Sequence, residues 1–131
     1  MKSLERYEEN GFIAPYAVVL KSENKVIGDI NIVSFNKSAG GSVRIGYVFN
    51  PKYWGKGYAT EVVKGVFKFI KQNKIAKRIE ATHDVANAKR GNVMKRAGMT
   101  FEGILRKAGE NNFHTRYDVA LYSILEEEIE E

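Results

Sequence analysis

Across residues 43–73 the apolar periodicity of this chain changes once, and that change constrains the fold more than any other feature. From Val43 to Phe49 the period is two. Val43, Ile45, Tyr47 and Phe49 share one face, and Arg44, Gly46 and Val48 share the other, as in a half-buried strand. Asn50-Pro51 ends the pattern. From Gly57 to Asn73 the apolar positions Tyr58, Ala59, Val62, Val63, Val66, Phe69 and Ile70 recur at three and four, which predicts an amphipathic helix. A strand must therefore run through a short loop carrying Gly55 and Gly57 straight into a helix.

The rest of the chain fits around this unit. Tyr16 to Lys21 and Val26 to Phe35 read as a hairpin about the turn Ser22-Glu23-Asn24-Lys25, and the polar stretch Asn36 to Ser42 is a second turn. Residues 1–10 read as a short charged helix stopped by Asn10-Gly11. Downstream, Arg78 to Thr82 predicts a strand. Asn87 to Ala97 predicts a second helix with Gly98 as its stop. Met99 to Arg106 and Tyr117 to Leu125 predict two strands joined by a loop over Gly109 to His114. Hairpins mixed with a crossover helix imply an α+β domain with a mixed, mostly antiparallel central sheet and flanking helices. The expected division is one domain over 1–125 and an acidic C-terminal tail over 126–131.

Composition narrows the chemistry. The 131 residues contain no cysteine, which excludes a disulfide scaffold, a thiolate zinc site and a catalytic thiol. The opening Met1-Lys2-Ser3-Leu4-Glu5-Arg6 is too charged for a signal peptide, and no apolar run approaches the ~18 residues that cross a bilayer. The expected location is the cytoplasm, with no membrane partner. Net charge is +5, but five glutamates fall in the last six residues, so residues 1–125 set 21 basic against 11 acidic side chains, a net +10. A basic body favours anionic partners such as nucleic acid, a membrane surface or a phosphorylated small molecule, or is simply a solvated lysine-rich surface.

The loop Trp54-Gly55-Lys56-Gly57-Tyr58-Ala59-Thr60 can meet such an anion. A helix start exposes unpaired backbone N–H groups and the positive end of the helix dipole, and glycine lets a phosphate approach the backbone closely. Lys56 would add a point charge. The loop lacks the glycine-to-lysine spacing of a Walker A loop and the third glycine of a dinucleotide fingerprint. A plain glycine turn is the alternative.

Tyr53-Trp54-Gly55-Lys56-Gly57-Tyr58-Ala59-Thr60-Glu61 resembles the acetyl-CoA-binding motif of the GNAT superfamily, in the form used by the branch of ribosomal-protein (RimJ/RimL-like) N-terminal acetyltransferases. His83-Asp84, then Asn87, Val93-Met94 and Ala97-Gly98-Met99, resemble that branch's later motif, and Glu102-Gly103 and Tyr117-Asp118 look typical of it. The likeness covers about residues 12–125. It implies a GNAT-like fold lacking the usual first strand and first helix, and acetyl-CoA as cosubstrate with no metal. The implied activity is N-acetyl transfer to a primary amine, either a protein N-terminus or a small molecule. It also implies that Tyr47, Val48 and Phe49 face the pantetheine arm, that Gly55, Lys56, Gly57, Tyr58, Ala59 and Thr60 hold the pyrophosphate, and that Asn87 reaches the pantetheine region.

Amine attack on a thioester needs a base, oxyanion donors and relief of charge on the leaving thiolate. Glu80 and His83 are candidates for the base; the alternatives are a partly exposed strand carboxylate and a surface or hydrogen-bonding histidine. Met94 stands where many relatives carry a tyrosine acid. Arg90 stands where the resembled branch has a serine, and it either stabilises the thiolate, binds a CoA phosphate or faces solvent. Arg44 replaces a frequent acid. His114 and Asp118 are candidates for the amine pocket, though Asp118 can equally hold a turn. The missing first elements would expose a sheet edge, so a homo-oligomer is expected. Two other readings stay open: an acetyl-CoA binder without turnover, drawn from Met94 and Arg90, and a nucleic-acid-binding module, drawn from the basic body but lacking an aromatic–basic platform.

Overall fold

A computed structural model describes residues 4–6, 16–36 and 40–130. Among these residues seven strands form one sheet, β1 Leu4–Arg6, β2 Tyr16–Leu20, β3 Lys25–Asn36, β4 Ser42–Phe49, β5 Arg78–Asp84, β6 Thr100–Glu110 and β7 Arg116–Leu125, with helices α1 Tyr58–Gln72 and α2 Ala88–Arg96. The order across the sheet is β1-β2-β3-β4-β5-β7-β6. All neighbours are antiparallel except β4 and β5, the pair joined through α1. The sheet is mixed and mostly antiparallel, as expected.

The alternating residues of β4 do what their period requires. Val43, Ile45, Tyr47 and Phe49 are buried, while Arg44 and Val48 are exposed. They meet Val62, Val63, Val66, Phe67 and Ile70 of α1 and Met94 of α2 in one core, so both helices cover the same face. Met94 is thus a packing residue.

One expectation is corrected. Of the helix read over residues 1–10, Leu4–Arg6 is instead an edge strand paired with Tyr16–Val18; residues 1–3 and 7–10 lie outside the described set. Helical charge spacing is a weak signal beside the free hydrogen-bonding edge of β2. The acidic tail also turns back onto the domain: Glu126–Glu128 forms a 3-10 turn, Ile129 is buried in the core, and its carbonyl accepts from Lys71 Nζ at 2.9 Å.

Candidate functional site

β4 and β5 are parallel neighbours over only three residue pairs, Ser42–Arg78, Val43–Ile79 and Arg44–Glu80. Beyond them β4 runs on to Phe49 bonded to β3, and β5 runs on to Asp84 bonded to β7. The strands part, leaving the edge of β4 from Ile45 onward without a strand partner on that side. Backbone acceptors in such a gap need other donors. The Tyr47 carbonyl accepts from Arg90 Nη2 at 2.6 Å, and the Phe49 carbonyl accepts from Trp54 Nε1 at 2.9 Å.

The glycine loop lies at the end of this gap. Gly55 and Gly57 take φ of +77° and +80°, the left-handed region that favours glycine, and a side chain added at either would meet no protein atom within 4 Å. Gly57 is the N-cap of α1 and supplies no capping side chain, so the first amides of the helix lack a side-chain acceptor from it. A cavity of about 110 Å³ opens here, lined by Phe49, Trp54, Gly57, Thr60, Val93 and Arg96 among others. Lys56 directs its ammonium at the Tyr53 ring, 5.7 Å from the centroid, as Lys52 does at 5.9 Å.

Arg96 was not singled out in the sequence. There it reads only as a cation in the last turn of a helix, where the dipole favours it. Packing of α2 beside α1 turns it toward the glycine loop, and no spacing rule links residues 57 and 96. Gly91 was missed for the same reason. A Cβ there would come within 2.8 Å of His83 Nε2 and 3.3 Å of the Tyr122 hydroxyl, so this glycine sets how closely α2 approaches the sheet.

Asn87 caps α2, its side-chain oxygen accepting from Arg90 N over a long 3.5 Å. Arg90, in the first turn, also lays its guanidinium over the Tyr47 ring at 5.0 Å, and the Tyr47 hydroxyl reaches back to the Arg90 carbonyl at 3.5 Å. Burial pushes the Tyr47 phenol up to about 12 despite the opposing charge of Arg90.

Both oxygens of Glu80 are engaged, Oε1 by Arg44 at 2.7 Å and Oε2 by Arg78 at 3.1 Å. Arg78 also pairs with Glu102 at 2.7 Å. Ser123 donates to the same Glu102 oxygen, and together these partners hold that carboxyl below the usual glutamate range. Glu80 is therefore the centre of a charged network at the point where β4 and β5 part. His83 is buried, stacked on Tyr122 at 5.6 Å, with Nδ1 2.7 Å from the Asp84 carbonyl. The carbonyl can only accept, so Nδ1 donates there, and Nε2 is buried with no hydrogen-bond partner among the described residues. Asp118 accepts from Lys107 N at 2.8 Å and braces the irregular β6–β7 hairpin. His114 is highly exposed near the tip of that hairpin, with φ of +61° and Glu110 at 3.8 Å.

A gap in the sheet beside a helix start suits an extended ligand with an anionic end: strand edge for the arm, helix amides for the charge. The chain is also similar to known proteins. A family model described as an acetyltransferase (GNAT) domain matches residues 1–100. An uncharacterized N-acetyltransferase of Bacillus subtilis (strain 168), YnaD, is 34% identical over 113 residues, covering 86% of this chain and 65% of that protein. Among solved structures, the ribosomal-protein-S5-alanine acetyltransferase of Vibrio fischeri superposes with a TM-score of 0.81 at 24% identity, over 93% of this chain and 66% of that one. The microcin C7 self immunity acetyltransferase MccE, solved in complex with acetyl-CoA and AMP, gives 0.78 at 24% identity, over 88% and 62%. The chain thus spans about two-thirds of the length of these proteins. Those two structures, at that identity, share the fold.

Proposed function

We propose that this chain, which belongs to the GNAT acetyltransferase family, binds acetyl-CoA and transfers its acetyl group to a primary amine by direct attack. The observation that carries the reading is the parting of β4 and β5 after Arg44–Glu80, next to a helix start with two left-handed glycines. The pantetheine arm would lie along Tyr47, Val48 and Phe49. The pyrophosphate would sit on the amides from Gly55 to Thr60, with Arg96 supplying charge from α2. Asn87 keeps its side-chain amide donors for the arm while its oxygen caps α2. Acetyl-CoA bound in MccE supports the same cosubstrate here.

The acceptor would be a protein N-terminus or a small amine. Peptide N–H groups on the open edge of β4 would stabilise the oxyanion. A thiolate with a pKa of ~8.5 is a tolerable leaving group, and a nearby guanidinium such as Arg90 would favour it further.

A second reading, an acetyl-CoA binder without turnover, draws on one observation: the candidate base Glu80 has both oxygens engaged by arginines. One pair of measurements separates the two. Calorimetric titration with CoA is expected to show stoichiometric binding, and acetyl-CoA with a panel of peptide and small amines is expected to release free thiol. Binding without thiol release on any amine would favour the second reading; absence of binding would sink both.

A further inference from the structure

We propose that Arg90 is a displaceable plug: its guanidinium fills the gap between β4 and β5 in the free protein and must leave before the ligand's arm can enter. The proposal rests on the acetyl-CoA reading above and adds a regulated step to it. Three observations carry it. Pairing between β4 and β5 has already stopped at Arg44–Glu80, so the Tyr47 carbonyl needs a donor that no neighbouring strand supplies. Arg90 supplies one at 2.6 Å, reaching from the first turn of α2 across the gap. The planar guanidinium also covers the Tyr47 ring, 5.0 Å from its centroid, so it fills space as well as donating.

An amide-containing arm laid along this edge would need the same carbonyl and the same space. A carbonyl has two lone pairs, so the acceptor alone could be shared, but the volume could not. Arg90 is suited to leave. Among the described residues no carboxylate is paired with it, and it is only partly buried. Its guanidinium is held by one hydrogen bond and one ring contact, and its backbone belongs to a helix that need not move. The incoming arm would replace the donor at Tyr47, and the freed guanidinium would turn toward an anionic ligand. Trp54 offers a contrast on the same edge: its indole donates to Phe49 from within the loop that carries the anion site, so it is part of the platform.

A closed state that must open reduces apparent affinity by the fraction of time the gap is open. A hydrogen bond from a charged donor is worth roughly ten- to a hundredfold, and the arm recovers part of that on binding. The probe pair is CoA and adenosine 3′,5′-bisphosphate, which carries the nucleotide phosphates without the arm. Their affinity ratio cancels the general loss of positive charge in the variant. In Arg90→Ala the ratio of CoA to bisphosphate affinity is expected to rise about tenfold. Stopped-flow fluorescence of Trp54 gives a second readout. The observed binding rate should level off with CoA concentration in the parent protein and rise linearly in the variant. An unchanged or lower ratio, with the variant folded by circular dichroism, overturns the plug while leaving the cofactor site standing. Failure of the parent protein to bind CoA removes the cofactor reading and the plug together.

Discussion

At the scale of single residues, Gly57 and Tyr47 carry the most testable consequences. Gly57 sits at φ +80° with open space where a side chain would project. A substitution there strains the backbone by about 1 kcal/mol without a steric clash, so the fold should survive. Gly57→Glu would also aim a carboxylate into the helix start. CoA affinity should fall on the order of a hundredfold, from lost charge-assisted bonds and added repulsion. Calorimetry beside a thermal melt checks both halves, and retained affinity in a folded variant would sink the loop assignment. The phenol of Tyr47, pushed up to about 12, should titrate well above the ordinary tyrosine range when followed by ultraviolet difference absorbance. Because the folded state holds this proton more tightly than the unfolded chain, stability should be unaffected by the group below pH ~10 and decline between about 10 and 12. Tyr47→Phe should remove that late step. No single-residue rule found Arg96 or Gly91, because their roles arise from what α2 packs against.

At the scale of elements, α2 governs the site. It presents Asn87 and Arg90 at its start and Arg96 at its end. Its distance from the sheet is set by Gly91 against the His83–Tyr122 stack. Gly91→Val would drive a branched side chain into two rings. The expected cost is about 1–3 kcal/mol in urea unfolding, with CoA affinity reduced alongside, since α2 would stand off from Tyr47. A variant of undiminished stability would show that α2 tolerates a wider spacing. The element boundaries were legible where pattern and punctuation agreed. Asn50-Pro51, Asn87 and Gly98, the last at φ +96°, all fall at helix or strand ends. The amino-terminal segment was misread because three residues of an edge strand owe their state to β2 rather than to their own spacing.

At the scale of the whole molecule, the basic body and the half-exposed outer strand β6 bear on association. Phe101, Ile104 and Leu105 on that strand are 50%, 48% and 39% exposed. A second copy covering this apolar edge would give the homo-oligomer expected from the sequence. Light scattering across micromolar concentrations should then report a mass above that of one chain; a steady 14.8 kDa species would remove the proposal. The sequence by itself determined the elements of the sheet from β2 onward, the two helices, the glycine loop and the family, because periodicity, turn residues and backbone conformation are local properties that a short stretch of chain carries within itself. Only the tertiary structure decided what those parts enclose. It closed Arg44 and Arg78 on Glu80, buried His83 and Met94, folded Ile129 of the acidic tail into the core, and brought Arg96 to the loop and Arg90 to Tyr47. Each of these depends on contacts between residues far apart in sequence, whose geometry exists only once the strands have parted and α2 has docked.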